Sequence, residues 1–495
     1  MAQAALGNTA FHPDEVCTLE HRMAEQKHWQ EAGWVALLAQ SLRAENDYFP
    51  AIEGRIPNDL RGTLYRNGPG LFQRGSTTKR SLLDGDGMIQ AFDFDCGKVR
   101  YRNRFVRTAK FLEEEVLGRF VWPTWSTKSP QGRLHNLGNR IRSQAGVTVV
   151  ARDAVLYAFD EVGVPYALTQ DTLDTLGERD IGPAGFRFDY KAHTKVDPTN
   201  GDWVLLGVEH GRRMMLHLVT RSAQGVLKDH QRLPAPRNAY LHDWFLTARY
   251  AVIMLQPLEL SLPGFLLGSA SVVDSLRWRA DQPVIWLLID RNGVDPPRRY
   301  ETEARFMWHA ANAFQDGDSL VADCVTYREP DHFLGEDAAL RQIMQGRLGR
   351  AEYPGEIQRY RFDLTGRRAT SHVISEQNHE FPSVDPSEST RHYDYAYFTC
   401  SPGVTVFHNG VARVNMGTGA RDTFFLEDTH FGEPVVVPSE SGNQGPWLLS
   451  LALDGRSGVS YLAIFQAAHV SDGPVARVML SHPTPLSFHG YWLAR

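Results

Sequence analysis

Four histidines stand apart, by context, from the nineteen in the chain. His193 lies in Lys191-Ala192-His193-Thr194-Lys195, His242 in Leu241-His242-Asp243-Trp244, His309 in Trp308-His309-Ala310-Ala311, and His489 in Phe488-His489-Gly490-Tyr491. Their intervals of 49, 67 and 180 residues cannot form a local metal loop. They could converge only if several strands point inward at one axis. A neutral imidazole suits Fe(II) as well as zinc, copper or nickel. Read singly, each is equally an ordinary packed or surface histidine. Three carboxylates have apolar or turn-rich surroundings: Glu161 in Asp160-Glu161-Val162-Gly163, Glu380 in Glu380-Phe381-Pro382, and Glu433 in Gly432-Glu433-Pro434. A carboxylate that accepts the second N–H of a metal-bound histidine fixes its ring and tautomer. It also offsets the double positive charge that four neutral ligands leave on a divalent ion. Taken alone, each is equally a strand-end or turn residue.

The motifs that are absent narrow the chemistry. The chain has no GxxxxGK[ST] loop, no GxGxxG after a strand, no HExxH and no GxSxG. Phosphoryl transfer, Rossmann-type hydride transfer and α/β-hydrolase chemistry lose support. A formal charge of −6 gives no broad basic field, so no nucleic-acid partner is expected. Apolar runs such as Val284–Ile289 are too short to span a bilayer, and Met1–Ala10 lacks the flank and core of a secretory signal. Cys17, Cys96, Cys324 and Cys400 are scattered and form no CxxC pair, which fits a reducing cytosol.

The elements that must position these residues follow from the spacing of apolar runs. Residues 13–45 read as a helix, with Val16, Leu19, Met23, Trp29, Val35 and Leu38 at roughly helical intervals. From about residue 60, short runs alternate with Gly, Asp, Asn and Pro: Ala154–Phe159, Trp203–Val208, Tyr250–Leu255, Val284–Ile289, Leu320–Thr326, Tyr395–Thr399, Trp447–Leu453 and Tyr461–Phe465. Turn signals between them include Asp84-Gly85-Asp86-Gly87, Asn292-Gly293, Asp316-Gly317 and Asp454-Gly455. This length and pattern predict an all-β propeller of six or seven four-stranded blades, with one helical insert at Glu336–Met344. No repeat signature is visible, and no linker divides the chain.

Read together, these residues resemble the carotenoid cleavage oxygenase family, from about Tyr48 to Arg495. Further markers are Gly62-Thr63-Leu64-Tyr65-Arg66-Asn67-Gly68-Pro69-Gly70, Asp84-Gly85-Asp86-Gly87-Met88 and Phe105-Val106-Arg107-Thr108. The resemblance implies an N-terminal helical segment over 1–47 and one catalytic domain over 48–495, a seven-bladed propeller with a dome of loops and helices. It implies one Fe2+ per chain on the axis, held by His193, His242, His309 and His489. Glu161, Glu380 and Glu433 would each hold one of the later three histidines, and the first has no such carboxylate. The activity implied is cleavage of one C=C bond of a carotenoid or apocarotenoid by O2 into two carbonyl products. Many members have His at the position of Ser81, a departure expected to affect loop packing. Many also carry a Thr fourteen residues before the first of the three carboxylates; counting back from Glu161 gives Val147, whose methyl would face the open iron position.

Stilbene-cleaving members carry a Lys before the first carboxylate and a Tyr in the FVRT-like segment. This chain has Asp160 and Phe105 there, which favours a carotenoid over a phenol. The other readings are stilbene cleavage, retinoid-type isomerisation and, from another class, a non-catalytic propeller scaffold. Leu258, Leu260, Leu262, Phe265, Leu266 and Leu267, with Pro263-Gly264 breaking any regular element, are expected to form an exposed membrane contact at the tunnel mouth. That predicts a cytoplasmic, peripherally membrane-associated protein with no obligate protein partner.

Overall fold

The middle strands of the blades are apolar on both faces, because each blade lies between two others. Trp203 and Leu205 point to one neighbouring sheet, while Val204, Leu206 and Val208 point to the other. The period of two in side-chain direction thus yields an unbroken apolar run. The computed structural model describes residues 33–439 and 445–495. They form a seven-bladed β-propeller.

Blade 1 is built from Gly62–Leu71, Asp86–Asp95, Lys98–Phe105 and Asp47–Tyr48, with the C-terminal strand His489–Ala494 beside Gly62–Leu71. Blade 2 runs Thr148–Arg152, Val155–Phe159, Tyr166–Thr169, Thr175–Glu178. In blade 3, Asp189–Tyr190 and Lys195–Val196 both pair with Trp203–Glu209, followed by Met215–Arg221 and Leu227–Pro234. Blade 4 runs Phe245–Leu246, Tyr250–Leu255, Val284–Asp290, Arg298–Thr302. Blade 5 runs Phe306–Asp316, Ser319–Tyr327, Glu356–Asp363, Ala369–Ser375. Blade 6 runs Asn378–Ser383, Tyr395–Ser401, Gly410–Asn415, Arg421–Phe425. Blade 7 contains Thr429–Phe431 and Val435–Val437 against Trp447–Asp454, then Val459–Gln466, Pro474–Met479 and Ala51–Gly54.

The two ends of the chain close the ring twice, at His489–Ala494 on blade 1 and at Ala51–Gly54 on blade 7. Apolar clusters fill the space between each successive pair of blades, including blades 7 and 1, where Phe92 and Tyr101 meet Leu449 and Ile464. Closure leaves each blade with a neighbour on both faces, which an open array would not do.

Long connections on one face make the dome. They are the segment between blades 1 and 2, with helix Ala109–Leu117, the insert inside blade 4 and the insert inside blade 5. The expected insert at Glu336–Met344 is a short α-helix, Ala339–Gln342, continued by a 3-10 turn, Ile343–Gln345. Of the expected helix over 13–45, residues 13–32 lie outside the described residues. Gly33–Ala39 is a 3-10 helix, but residues 40–45 are not helical. There the Leu42 N–H donates to the Gly70 carbonyl at 2.9 Å, so blade 1 captures this stretch instead.

Asp84-Gly85-Asp86-Gly87 is not a turn between strands: Asp86 and Gly87 begin a strand, and both carboxylates are buried anchors. Asp84 accepts from the Ser126 N–H and the Thr127 hydroxyl, and Asp86 pairs with Lys110 at 2.6 Å, which ties the dome to blade 1. Gly87 is needed for close approach, since a Cβ there would lie 2.3 Å from the Ala145 carbonyl oxygen. Ser81 caps the turn Leu82–Asp84, its hydroxyl accepting from the Leu83 N–H, so its place is in loop packing as expected.

Candidate metal centre

The innermost strands of the blades carry polar residues toward the axis, and those of blades 3 and 4 are only two residues long. His489 opens the last strand, His193 sits between Asp189–Tyr190 and Lys195–Val196, His242 precedes Phe245–Leu246, and His309 lies within Phe306–Asp316. The ligand atoms of all four rings lie within 4.8 Å of one another. The Nε2 atoms of His193 and His242 are 3.2 Å apart, and those of His242 and His309 are 3.3 Å apart. Nitrogens about 2.0–2.1 Å from one ion at angles of about 90–109° stand ~2.9–3.4 Å apart, so this donor set fits a single metal ion.

Each of the later three rings has its other nitrogen held by a carboxylate. His242 Nδ1 is 2.8 Å from Glu161, His309 Nδ1 is 2.5 Å from Glu380 and His489 Nδ1 is 2.8 Å from Glu433. These bonds leave Nε2 with its lone pair facing the axis. Among the described residues His193 has no carboxylate as close: Asp243 is 3.9 Å from its Nδ1. Its backbone is fixed by the Trp244 indole N–H, which donates to the His193 carbonyl at 2.8 Å.

Burial, together with the rings of His489, His242 and His309, holds His193 well below the usual imidazole range. Burial also lowers His489, against the pull of Glu433. For His309 burial is outweighed by Glu380, which raises it. Burial pushes the Glu161 carboxyl up, but the Lys191 ammonium and the His242 ring bring it down to about 2. Burial is likewise overcome at Glu380, chiefly by His309.

A cavity opens over the rings of His242, His309 and His489. Its wall is mainly apolar and aromatic, with Trp125, Tyr240, Trp308, Phe333, Phe381 and Phe488. Val147 is part of this wall. Phe105 stacks on Phe111 in a separate cluster, and the Asp160 carboxylate is spent on the Gln144 and Glu161 N–H groups.

The sequence reading missed several residues that shape the centre. Lys191 lies 3.2 Å from Glu161, and the Tyr240 hydroxyl donates to the same carboxylate at 3.0 Å. Asp243 accepts from the Ala310 N–H and pairs with Lys195, joining blades 3, 4 and 5. Arg66 donates to the Glu433 carbonyl at 2.9 Å. The signal available was adjacency: Lys191, Asp243, Trp308 and Phe381 all sit within two residues of a flagged His or Glu.

The expected six-residue patch is only partly exposed. Leu258 is fully buried and Leu260 half-buried, because Leu258–Leu260 is a strand paired with Leu276–Trp278. Pro263-Gly264 does not break a regular element: Leu262–Leu266 is a short helix with Pro in its first turn, where its missing N–H does no harm. Leu262, Leu266 and Leu267 are 55%, 53% and 65% exposed, and Phe265 is half-buried. The adjoining turn Arg133–Asn139 adds exposed Leu134 and Leu137, bridged by Asn139, which donates to the Phe265 carbonyl. No helix among the described residues is long and apolar enough to cross a membrane.

A closed seven-bladed propeller whose axis carries four histidines beneath an aromatic cavity defines the carotenoid-cleavage class of oxygenases. The profile of the retinal pigment epithelial membrane protein family matches residues 39–494, and the chain belongs to that family. It is 28% identical to the apocarotenoid-15,15'-oxygenase of a Synechocystis species, over 92% of this chain and 94% of that protein. It is 25% identical to the resveratrol cleavage oxygenase 1 of Aspergillus fumigatus, over 89% of this chain and 91% of that one. The crystal structure of cobalt-substituted Synechocystis apocarotenoid oxygenase superposes with a TM-score of 0.88 at 27% identity, covering 94% of this chain and 98% of that chain.

Proposed function

We propose that the protein is a non-haem Fe(II) oxygenase that cleaves one C=C bond of a carotenoid or apocarotenoid with O2, giving two carbonyl products. The observation that carries this is the convergence of four buried imidazoles beneath an apolar, aromatic cavity. His193, His242, His309 and His489 would hold the ion. Zinc fits the same donors but has no redox chemistry, whereas an oxygenase needs a metal that can exchange electrons with O2. When bound, ferrous iron supplies that electron exchange.

The protein's own residues do the rest. Glu161, Glu380 and Glu433 lock three rings in the tautomer that presents Nε2. Trp125, Tyr240, Trp308 and Phe381 offer flat faces to a conjugated chain and keep water from the reacting bond. Val147 contributes methyl groups to the cavity wall and no hydroxyl.

The substrate is nearly insoluble in water, so the protein would collect it from a bilayer. Leu134, Leu137, Leu262, Leu266 and Leu267 form the contact we assign to this, bordered by exposed Arg133 and by Lys128, which donates to the Ser269 carbonyl. The Val273 N–H donates to the carbonyl of cavity-lining Trp125, which connects this segment to the site. The attachment is peripheral and on the cytoplasmic side.

Purified protein should contain one iron per chain and, under air, cleave β-apo-8′-carotenal into two carbonyl products identified by mass spectrometry. His→Ala at position 193, 242, 309 or 489 should remove iron and turnover together. Full iron with normal turnover in one of these variants removes that residue from the ligand set; a metal-free, inactive wild type removes the proposal.

A further inference from the structure

The cavity wall holds a buried hydrogen-bonding side chain that the metal centre does not use. His408 lies on the loop between Tyr395–Ser401 and Gly410–Asn415 of blade 6, and it lines the cavity that His242, His309 and His489 also line. It is 2% exposed, and neither ring nitrogen has a hydrogen-bond partner among the described residues. Its backbone is fixed, since the His408 carbonyl accepts from the Phe431 N–H at 2.9 Å. Leaving a buried imidazole unpaired is unfavourable, and such a group marks either a tolerated defect or a ligand site.

Of the neighbouring histidines, His332 lines the same cavity with its Nδ1 3.9 Å from the Asp331 carboxylate, and His430 lies outside it. His332 Nε2 accepts from the Trp308 indole at 2.6 Å, which makes it a support for that wall. His430 faces a separate small hollow against Gly432. Gln144 also lines the cavity with a free Oε1, but its Nε2 is committed to the Leu83 carbonyl, so it can only accept. His408 can donate from one nitrogen and accept at the other. The unpaired Glu380 Oε1 on the same wall adds negative charge, which disfavours a carboxylate end.

We infer that His408 is a specificity-determining residue: its imidazole binds a neutral, single-oxygen terminus, carbonyl or hydroxyl, of the apolar substrate. The inference rests on the reading of this cavity as a polyene site.

The test uses the iron-loaded protein under argon, with binding read by quenching of tryptophan fluorescence, since Trp125 and Trp308 line the cavity. The probes are β-apo-8′-carotenal, the corresponding alcohol, and the hydrocarbon with a methyl group in place of the aldehyde. The wild type should bind at least one oxygenated probe roughly tenfold or more tighter than the hydrocarbon, because a site built to hydrogen-bond rejects the analogue that leaves it unpaired. The two oxygenated arms tell an imidazole that donates to a carbonyl from one that accepts from a hydroxyl. His408→Leu should erase the preference while hydrocarbon affinity and iron content stay the same, and His408→Gln should keep part of it. A wild type that binds all three probes alike, or a preference that survives in His408→Leu, overturns the inference and leaves the polyene reading standing. If the Leu variant fails to fold, an undiminished preference in His408→Gln counts against the inference and a reduced one supports it. A wild type that binds none of the probes overturns the polyene reading and this subsite with it.

Discussion

Glu161 and Glu380 hold their histidines in the same way, yet their loss should have different consequences, because only Glu161 also neutralises a buried lysine. Lys191 Nζ lies 3.2 Å from Glu161 Oε1, and the two side chains are 7% and 4% exposed. Glu380 has no cation of this kind among the described residues; it accepts from the Phe381 N–H beside His309. Changing either to Gln keeps the shape and removes the charge that orients the ring. That should lower metal affinity by about 10–100-fold, or about 1.4–2.7 kcal/mol. Glu161→Gln additionally strands the Lys191 ammonium, and breaking a buried pair from one side costs about 3–5 kcal/mol. Losing the charged hydrogen bond of Glu380 costs about 1.5–3 kcal/mol. The metal-stripped Glu161→Gln protein should therefore melt roughly 2–4 °C below metal-stripped Glu380→Gln by calorimetry, given the shallow dependence of Tm on stability in a chain this long. Adding Lys191→Met to Glu161→Gln should recover most of that melting temperature and none of the metal affinity. Equal melting temperatures for the two Gln variants, or no recovery with Lys191→Met, would refute the idea that Glu161 balances the buried Lys191 ammonium.

Lys79 gives a second test, of opposite sign. It is 3% exposed, and burial, then Lys110, lower its ammonium from 10.5 to about 8. The unfolded chain therefore binds more protons between pH 8 and 10.5, so this group makes stability rise with pH across that window. Below pH 8 it is a standing penalty of about 3 kcal/mol, so Lys79→Met should raise the melting temperature at pH 7 and lose that advantage near pH 10.5. A Met variant that melts lower at pH 7 would mean that the Thr124 hydrogen bond and the Phe120 ring outweigh burial. At the surface, Leu262, Leu266 and Leu267 replaced together by Ser should cut liposome binding about tenfold or more, since the lost apolar contact is worth a few kcal/mol. The melting temperature should barely move, because all three side chains are more than half exposed; unchanged liposome binding removes the membrane contact from the proposal.

The middle strands of the blades were legible in the sequence, and the innermost ones were not. Tyr250–Leu255 was placed to the residue, and Val284–Ile289 missed by one, because these strands are buried on both faces and show continuous apolar runs. Phe245–Leu246, Lys195–Val196 and Thr429–Phe431 are two or three residues long and abut polar residues, so no run marks them. The same polar residues made the centre legible: a His or Glu set in an apolar context is conspicuous, and the resemblance supplied the grouping that spacing could not. Lys191, Tyr240 and Asp243 stayed hidden because their partners lie on other blades. The 258–269 stretch misled because a run of leucines looks alike whether its first members form a paired strand or an exposed turn.

Every blade gives one residue to the centre: His489 from blade 1, Glu161 from the hairpin of blade 2, His193, His242 and His309 from blades 3, 4 and 5, Glu380 from blade 6, and Glu433 from blade 7. Each carboxylate lies on a different blade from the histidine it holds, and Glu161 reaches past blade 3 to His242 on blade 4. A metal ion at the four rings would therefore join blades 1, 3, 4 and 5 directly and blades 2, 6 and 7 through one hydrogen bond each. Such an ion binds the folded ring and has little to bind in the unfolded chain, so it stabilises by RT ln(1 + [M]/Kd), about 4 kcal/mol at a thousandfold excess over Kd. Stripping the metal with a chelator should lower the melting temperature by several degrees, and returning Fe(II) should restore it. The four-histidine centre can be tested further with His193→Ala: chelation should leave the melting temperature of a variant that no longer binds iron unchanged. An equal drop in wild type and variant would place the stabilising ion elsewhere, and no drop in wild type would show that the seven blades close without help from their axis.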